Sequence, residues 1–310
     1  MKVLIVCSGN FKGGEENLSV HRAFIYDQAL ALRKKNIKVF FFLIKGRGIM
    51  GYLKNISTLE QYVFQNNFDI IHAHSGLSGL LTSFSTKKPF VVTYHGSDIN
   101  NWKIRTLSFF PIIKSSWNIF VNKDLFNKVS FLAKNKSSII PCGVDLELFK
   151  ITSKEFAKKE LKIFNERKII LFSSNFNNKV KNYPLAKAAI NKLDYPVDFL
   201  EIKNRKREDI VKLLNAVDLL IMTSFSEGSP QIIKEALACN CPIISLDVGD
   251  VKKRIQNVEN CIISSEKKLT FNINKLLIRN KRSNGRNYIT DFDNTIIADK
   301  LIKLYSSIIT

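Results

Sequence analysis

The stretch Asp218-Leu219-Leu220-Ile221-Met222-Thr223-Ser224-Phe225-Ser226-Glu227-Gly228-Ser229-Pro230-Gln231-Ile232-Ile233-Lys234-Glu235-Ala236-Leu237 reads as a strand, a glycine loop and a helix in succession. Asp218 to Ser224 carries the apolar run of a buried strand, and Ile232, Ile233, Ala236 and Leu237 then recur at helical spacing. Ser229 suits the N-cap and Pro230 the first helical position, where a missing N–H costs nothing. The free amides of that first turn would suit an anion such as phosphate. Gln231 and Glu235, four apart, fall on a face other than the apolar stripe, so Glu235 is expected to reach a ligand. Glu227 in the loop puts a second carboxylate beside the same anion site.

Working outward, the strand–helix pattern repeats. Short apolar runs at Lys2 to Ser8, Ile37 to Lys45, Asp69 to His74, Pro89 to His95, Asn118 to Asn122 and Ser138 to Pro141 alternate with longer amphipathic segments. Within His21 to Lys35, Ile25, Ala29 and Leu32 mark one buried helix face, and Arg33, Lys34 and Lys35 suit its C-terminal end. The pattern lapses through a lysine-rich stretch around Lys150 to Arg167. It resumes with strands at Lys168 to Ser174, Val197 to Lys203, Asp218 to Ser224, Pro242 to Asp247 and Cys261 to Ser264, and Phe292 to Ile309 closes the chain as a helix. Such alternation predicts α/β architecture with parallel sheets and crossover helices in two Rossmann-like halves. The domains expected are 1–150, 151–290 and a closing helix at 291–310 that packs back on the first. Ligands of open α/β sheets sit beyond the carboxyl ends of the strands, so residues just after each run carry the information.

Composition narrows the class. With 310 residues, 45% hydrophobic and 24% charged, the chain has the material for two cored domains and is not a disordered polymer. No apolar run is long enough to span a membrane, and the N-terminus lacks the pattern of a signal peptide, which points to the cytoplasm. The five cysteines Cys7, Cys142, Cys239, Cys241 and Cys261 are scattered through apolar runs and read as buried free thiols, not a zinc set. The net charge of +21 is diffuse: residues 1–150 hold 20 basic and 9 acidic groups, and residues 151–310 hold 28 and 18. A diffuse excess suits anionic lipid or a polyphosphate better than a nucleic-acid arm, and abundant lysine, asparagine and isoleucine also reads as plain composition bias.

Other strand ends carry further candidates. Ser8-Gly9-Asn10-Phe11-Lys12-Gly13-Gly14 would let backbone amides approach an anion or sugar, but it lacks the dinucleotide spacing, so a nicotinamide or flavin cofactor is not expected. His72 and His74 share a strand face, and His95 precedes a turn glycine. Their spacing specifies no metal, and hydrogen-bonding roles are the simpler reading, with His95 the best placed to touch a ligand. Asp291-Phe292-Asp293 has the form of a metal-binding D-x-D, but it opens the terminal helix and reads as its cap.

Five of these motifs, taken in order, resemble the family-four retaining glycosyltransferases with the two-domain B-type fold: Gly13-Gly14, Ile71-His72-Ala73-His74, His95-Gly96-Ser97-Asp98, Ile140-Pro141-Cys142-Gly143-Val144-Asp145, and Glu227 to Glu235. The resemblance implies two Rossmann-like domains facing each other across a cleft, the first binding the acceptor and the second a nucleotide-diphosphate sugar. It implies that Glu235 binds the donor ribose and Glu227 lies against the donor sugar. Gly228, Ser229, Pro230 and Gln231 would lie near the sugar and phosphates, and Gly13 and Gly14 would reach the diphosphate. His95 would contact the transferred sugar, with His74 and Asp98 on the acceptor side. Lys181 matches the family's phosphate-binding lysine. The arginine expected five residues earlier is Phe176, for which Lys179 is the available substitute, although lysine lacks the bidentate geometry of arginine.

The implied chemistry uses His95, Glu227 and Lys181, with no cofactor or metal. Its partners would be a nucleotide-sugar donor, a lipid-linked or oligosaccharide acceptor and an anionic membrane surface, with no nucleic acid. Lys103, Arg105, Phe109, Phe110, Lys114 and Trp117 would suit the inner membrane face, where bacterial surface polysaccharide is built. A nucleotide-sugar 2-epimerase and a non-catalytic basic binder of lipid or nucleic acid are the rival readings.

Overall fold

The computed structural model describes residues 1–309. All eleven expected strands form, with ends within two residues of those read above. The first sheet contains β1 (Lys2–Ser8), β2 (Lys38–Ile44), β3 (Ile70–His74), β4 (Phe90–Tyr94), β5 (Trp117–Phe120) and β6 (Ser137–Ile139), in the order β2-β1-β3-β4-β5-β6. The second contains β7 (Lys168–Phe172), β8 (Val197–Glu201), β9 (Leu219–Met222), β10 (Ile243–Ser245) and β11 (Cys261–Ile263), in the order β11-β10-β9-β7-β8. Every pairing is parallel, so the apolar runs are covered on both faces by helices, as their near-continuous hydrophobicity requires. These are two Rossmann-like domains.

In the first unit, Val3 and Ile5 of β1 point to one layer and Leu4 and Val6 to the other, the two-residue period of a strand. The layer against Val3 and Ile5 includes the helix Ala23–Lys34, whose Ile25, Ala29 and Leu32 are buried as their spacing requires. The terminal helix Asn294–Ile309 lies in the same layer through Ile297, Leu301 and Tyr305. Each such aliphatic burial stabilises by about 1.5–3 kcal/mol.

The contact division falls between Gly143 and Val144 and between Asp293 and Asn294, so the unit boundary lies before residue 150 and the closing segment starts after residue 291. Hydrophobic burial explains the shift: Val144 and Phe149 are fully buried in the core of the second unit. Arg286 reinforces it by donating to the Leu146 and Phe149 carbonyls. Val144 N–H donates to the Phe292 carbonyl, and Leu146 N–H donates to Asp293 at 3.4 Å, which occupies the D-x-D segment within the second unit.

In each sheet the chain reverses direction of growth once. In the first unit the reversal lies between β1 and β3, and in the second between β7 and β9. Loops leaving two such neighbours diverge, which opens a crevice at their carboxyl ends.

Candidate active site

Beyond β7 and β9 two loops are tied together. The Thr223 hydroxyl donates to the carbonyls of Lys181 and Asn182 at 3.0 and 2.9 Å, and Phe225 N–H donates to the Val180 carbonyl. This stitching sets Lys181 Nζ 2.5 Å from Glu227 Oε1, with both side chains mostly buried. Two candidates 46 residues apart in sequence thus meet at the switch point of the second sheet.

Glu235 has a different surrounding from the one its helical spacing suggests. Its helix, Gln231–Ala238, is buried almost all round, Lys234 and Glu235 included. Glu235 therefore does not stand on a free face; its Oε1 is 2.7 Å from the Arg207 guanidinium, and the side chains are 3% and 6% exposed. Arg207 also lies over the Phe149 ring, 4.7 Å from its centroid. The sequence reading missed Arg207 because it sits in the charged run Lys203 to Asp209, which looks like solvated surface.

The loop before that helix also differs. Pro230, not Ser229, takes the N-cap position, and no side chain caps the helix. The Ser229 hydroxyl turns away to Asp250 Oδ2 at 2.9 Å, where the Arg254 guanidinium also bonds. Asp250 N–H donates to the Gly228 carbonyl. Gly249 permits this approach: its φ is +56°, and a Cβ there would stand 2.4 Å from the Gly228 oxygen.

Lys179 and Lys181 share a short 3-10 turn, Lys179–Lys181, with Lys179 exposed. Phe176, at the place of the absent arginine, packs among Tyr183, Phe199 and Phe172 with centroids 4.2–5.7 Å apart. An aromatic core element therefore occupies that position.

The first unit carries its candidates at the ends of β1, β3 and β4. Gly13 adopts φ +80°, and Gly14 N–H donates to Glu16 Oε1 at 2.7 Å. That amide holds the Glu16 carboxyl below the usual range.

His72 is enclosed, with Nδ1 2.5 Å from the Tyr305 hydroxyl and Nε2 2.6 Å from the Thr93 hydroxyl. Burial pushes its pKa down to about 3. His74 Nδ1 lies 3.0 Å from His95 Nε2, and His95 Nδ1 lies 3.6 Å from Cys142 Sγ. Burial first, then the neighbouring His72 and His95, hold His74 well below the ordinary imidazole value. The two nitrogens of His95 thus face protein partners, one of them Cys142, which is the buried free thiol expected of it.

His74 and Asp98, the acceptor-side candidates, are both buried. Asp98 accepts from the backbone N–H groups of Gly76, His95 and Gly96, so it shapes the turn that carries His95. Burial raises its carboxyl, and those amides work against the rise. Gly96, at φ +136°, supplies the backbone turn. Among the described residues no three histidine, cysteine or acidic side chains are grouped to hold a metal ion.

Comparison with known proteins agrees with this architecture. Residues 16–148 match the model of Glycosyltransferase Family 4, and residues 177–279 match that of Glycosyl transferases group 1. A putative teichuronic acid biosynthesis glycosyltransferase of Bacillus subtilis is 26% identical across 63% of this chain. The match spans 57% of that relative, less than two thirds of its length. The UDP-Gal:alpha-D-GlcNAc-diphosphoundecaprenol alpha-1,3-galactosyltransferase of Escherichia coli is 24% identical over 74% of this chain and 70% of its own. The sucrose-phosphate synthase structure from Thermosynechococcus elongatus superposes with a TM-score of 0.80 at 15% identity, covering 99% of this chain and 98% of that one. One model accounts for most of the first unit and the other for most of the second, on a shared B-type fold: the chain belongs to the group 1 glycosyltransferases of family 4.

Proposed function

We propose that this protein is a retaining glycosyltransferase that moves a sugar from a nucleotide-diphosphate donor to a lipid-linked or saccharide acceptor in bacterial surface-polysaccharide assembly. The observation that carries the proposal is the Lys181–Glu227 pair at the switch point of the second sheet, 2.5 Å apart. A lysine held by a carboxylate at such a crevice can exchange that partner for the phosphates of an entering donor. Glu227 is then released to meet sugar hydroxyls, while Glu235, held in place by Arg207, accepts from the ribose. The relatives' names, which specify teichuronic acid synthesis and a diphosphoundecaprenol-linked acceptor, support the same class of product and acceptor.

In the transfer, the bond from the anomeric carbon to the diphosphate breaks as the acceptor oxygen bonds to the same face. The acceptor proton passes to an oxygen of the departing phosphate. Lys181 and the amides about Gly228 stabilise the charge that develops on that leaving group, and the scheme draws on no metal ion. His95, in the first unit, keeps its ring nitrogens on His74 and Cys142.

The test is transfer from UDP-, GDP- and ADP-sugars to a short-chain polyprenyl-diphosphate sugar, with the product's anomeric configuration read by NMR. Transfer with the donor's configuration kept supports the proposal. An inverted product contradicts the retaining course, and epimer formation without acceptor contradicts transfer itself.

A further inference from the structure

The helix Trp102–Lys114 buries only one side. Ser108, Pro111 and Ile112 are buried, whereas Trp102, Thr106, Phe110 and Ile113 form an exposed stripe at intervals of four, four and three residues. A stripe facing water is ordinarily polar, yet three of these four are large and apolar, with Trp102 64% and Ile113 54% exposed. Adjacent helices widen the apolar surface. Phe84, from Gly76–Ser85, stacks on Phe110 at 4.9 Å, and Phe131, from Ser130–Ala133, meets Phe109 edge-on at 5.7 Å.

Positive charge frames this surface. Lys103 Nζ lies 5.5 Å from the Trp102 ring, and Lys114 is exposed at the other end of the stripe. Residues 76–137 contain nine lysines and arginines against two aspartates, one of which is the buried Asp98. Part of the basic excess, diffuse along the sequence, thus falls where aromatic side chains are exposed. An aromatic stripe with flanking cations is complementary to a lipid headgroup layer, apolar below and anionic at its face.

We infer that this face of the first unit docks on an anionic membrane surface, Trp102, Phe110 and Ile113 entering the headgroup layer while Lys103 and Lys114 meet lipid phosphates. The helix follows β4 and the His95–Asp98 turn, so the docked face begins four residues beyond Asp98. The inference goes beyond the proposed transfer, and its test reads no sugar chemistry.

The full chain is sedimented with vesicles of about 30% phosphatidylglycerol in phosphatidylcholine and with phosphatidylcholine alone, at roughly 50 and roughly 500 mM salt. Binding is expected to the anionic vesicles at low salt, weakened at least about tenfold at high salt. K103E/K114E and W102S/I113S are each expected to weaken it about tenfold or more, with little change in melting temperature because all four side chains are exposed. Quenching of tryptophan emission by brominated lipid should fall in W102F, which tests insertion in a variant that keeps an aromatic ring. Wild-type protein that stays in the supernatant, or variants that bind as tightly as wild type, would overturn the inference. So would a lipid-free dimer, seen by sedimentation velocity, that these substitutions dissociate, because the face would then belong to a second copy.

Discussion

The Arg207–Glu235 pair invites the sharpest perturbation. Its charges stand 2.7 Å apart with almost no exposure. At an effective dielectric constant of about 20 their attraction is about 6 kcal/mol, set against several kcal/mol of lost hydration for each ion. Removing one partner forfeits the attraction and leaves the other charge buried, so Glu235→Leu and Arg207→Met should each cost about 3–5 kcal/mol. Arg207→Met belongs at the upper end because it also loses the contact with Phe149, 4.7 Å from the guanidinium. The double variant leaves no stranded ion and should lie within about 1.5 kcal/mol of wild type. Guanidinium unfolding of all four proteins closes the cycle, and calorimetry should place each single variant about 10 °C below wild type. Additive effects, or single variants within about 1 kcal/mol of wild type, would refute the argument that this is a coupled, desolvated ion pair.

Three further outcomes follow from the same reasoning. Gly249→Ala places a Cβ 2.4 Å from the Gly228 oxygen at φ +56°, so a loss of about 2–4 kcal/mol is expected in urea unfolding; an unchanged midpoint would show that the loop yields freely. Asp98→Ala deprives the amides of Gly76, His95 and Gly96 of their acceptor and should cost about 3–5 kcal/mol, with Asp98→Asn closer to wild type because it keeps one acceptor oxygen; equal losses in the two variants would count against the hydrogen-bond account. His72 has a folded-state pKa of about 3, so below its ordinary value of 6.5 the unfolded chain takes up a proton that the folded chain refuses. His72 then contributes a decline in stability of about 2 kcal/mol at pH 5, to which His74 adds in the same direction, and His72→Gln should make the decline shallower; a wild-type urea midpoint that rises between pH 7 and pH 5 would contradict this.

Strand positions were legible because parallel strands covered on both faces are continuous apolar runs, which local sequence displays directly. The helix Gln231–Ala238 exposes the limit of that reading. Its pattern suggests one apolar face and one free face, but its polar residues are buried against partners distant in sequence, Arg207 among them. Side-chain pairing across a core leaves no local periodicity, so Asp250 on Ser229 and Cys142 on His95 were equally hidden. Phe149 explains the misplaced boundary: a hydrophobic residue beside a lysine-rich stretch reads as the end of one core, whereas it is fully buried in the other. By contrast, Glu227 is legible as a residue just beyond a strand end, and Lys181 as the match to the family's phosphate-binding lysine.

Calorimetric titration of UDP-, GDP- and ADP-sugars into wild type, Lys181→Met and Glu227→Gln tests the donor site most directly. One donor class should bind wild type and lose at least about tenfold in affinity with Lys181→Met, the change expected when a charge-assisted phosphate contact is removed. Glu227→Gln should bind with a changed preference among sugars and an unchanged preference among nucleobases. Equal affinity of all three proteins for the donor would contradict the assignment of these two residues to the donor site.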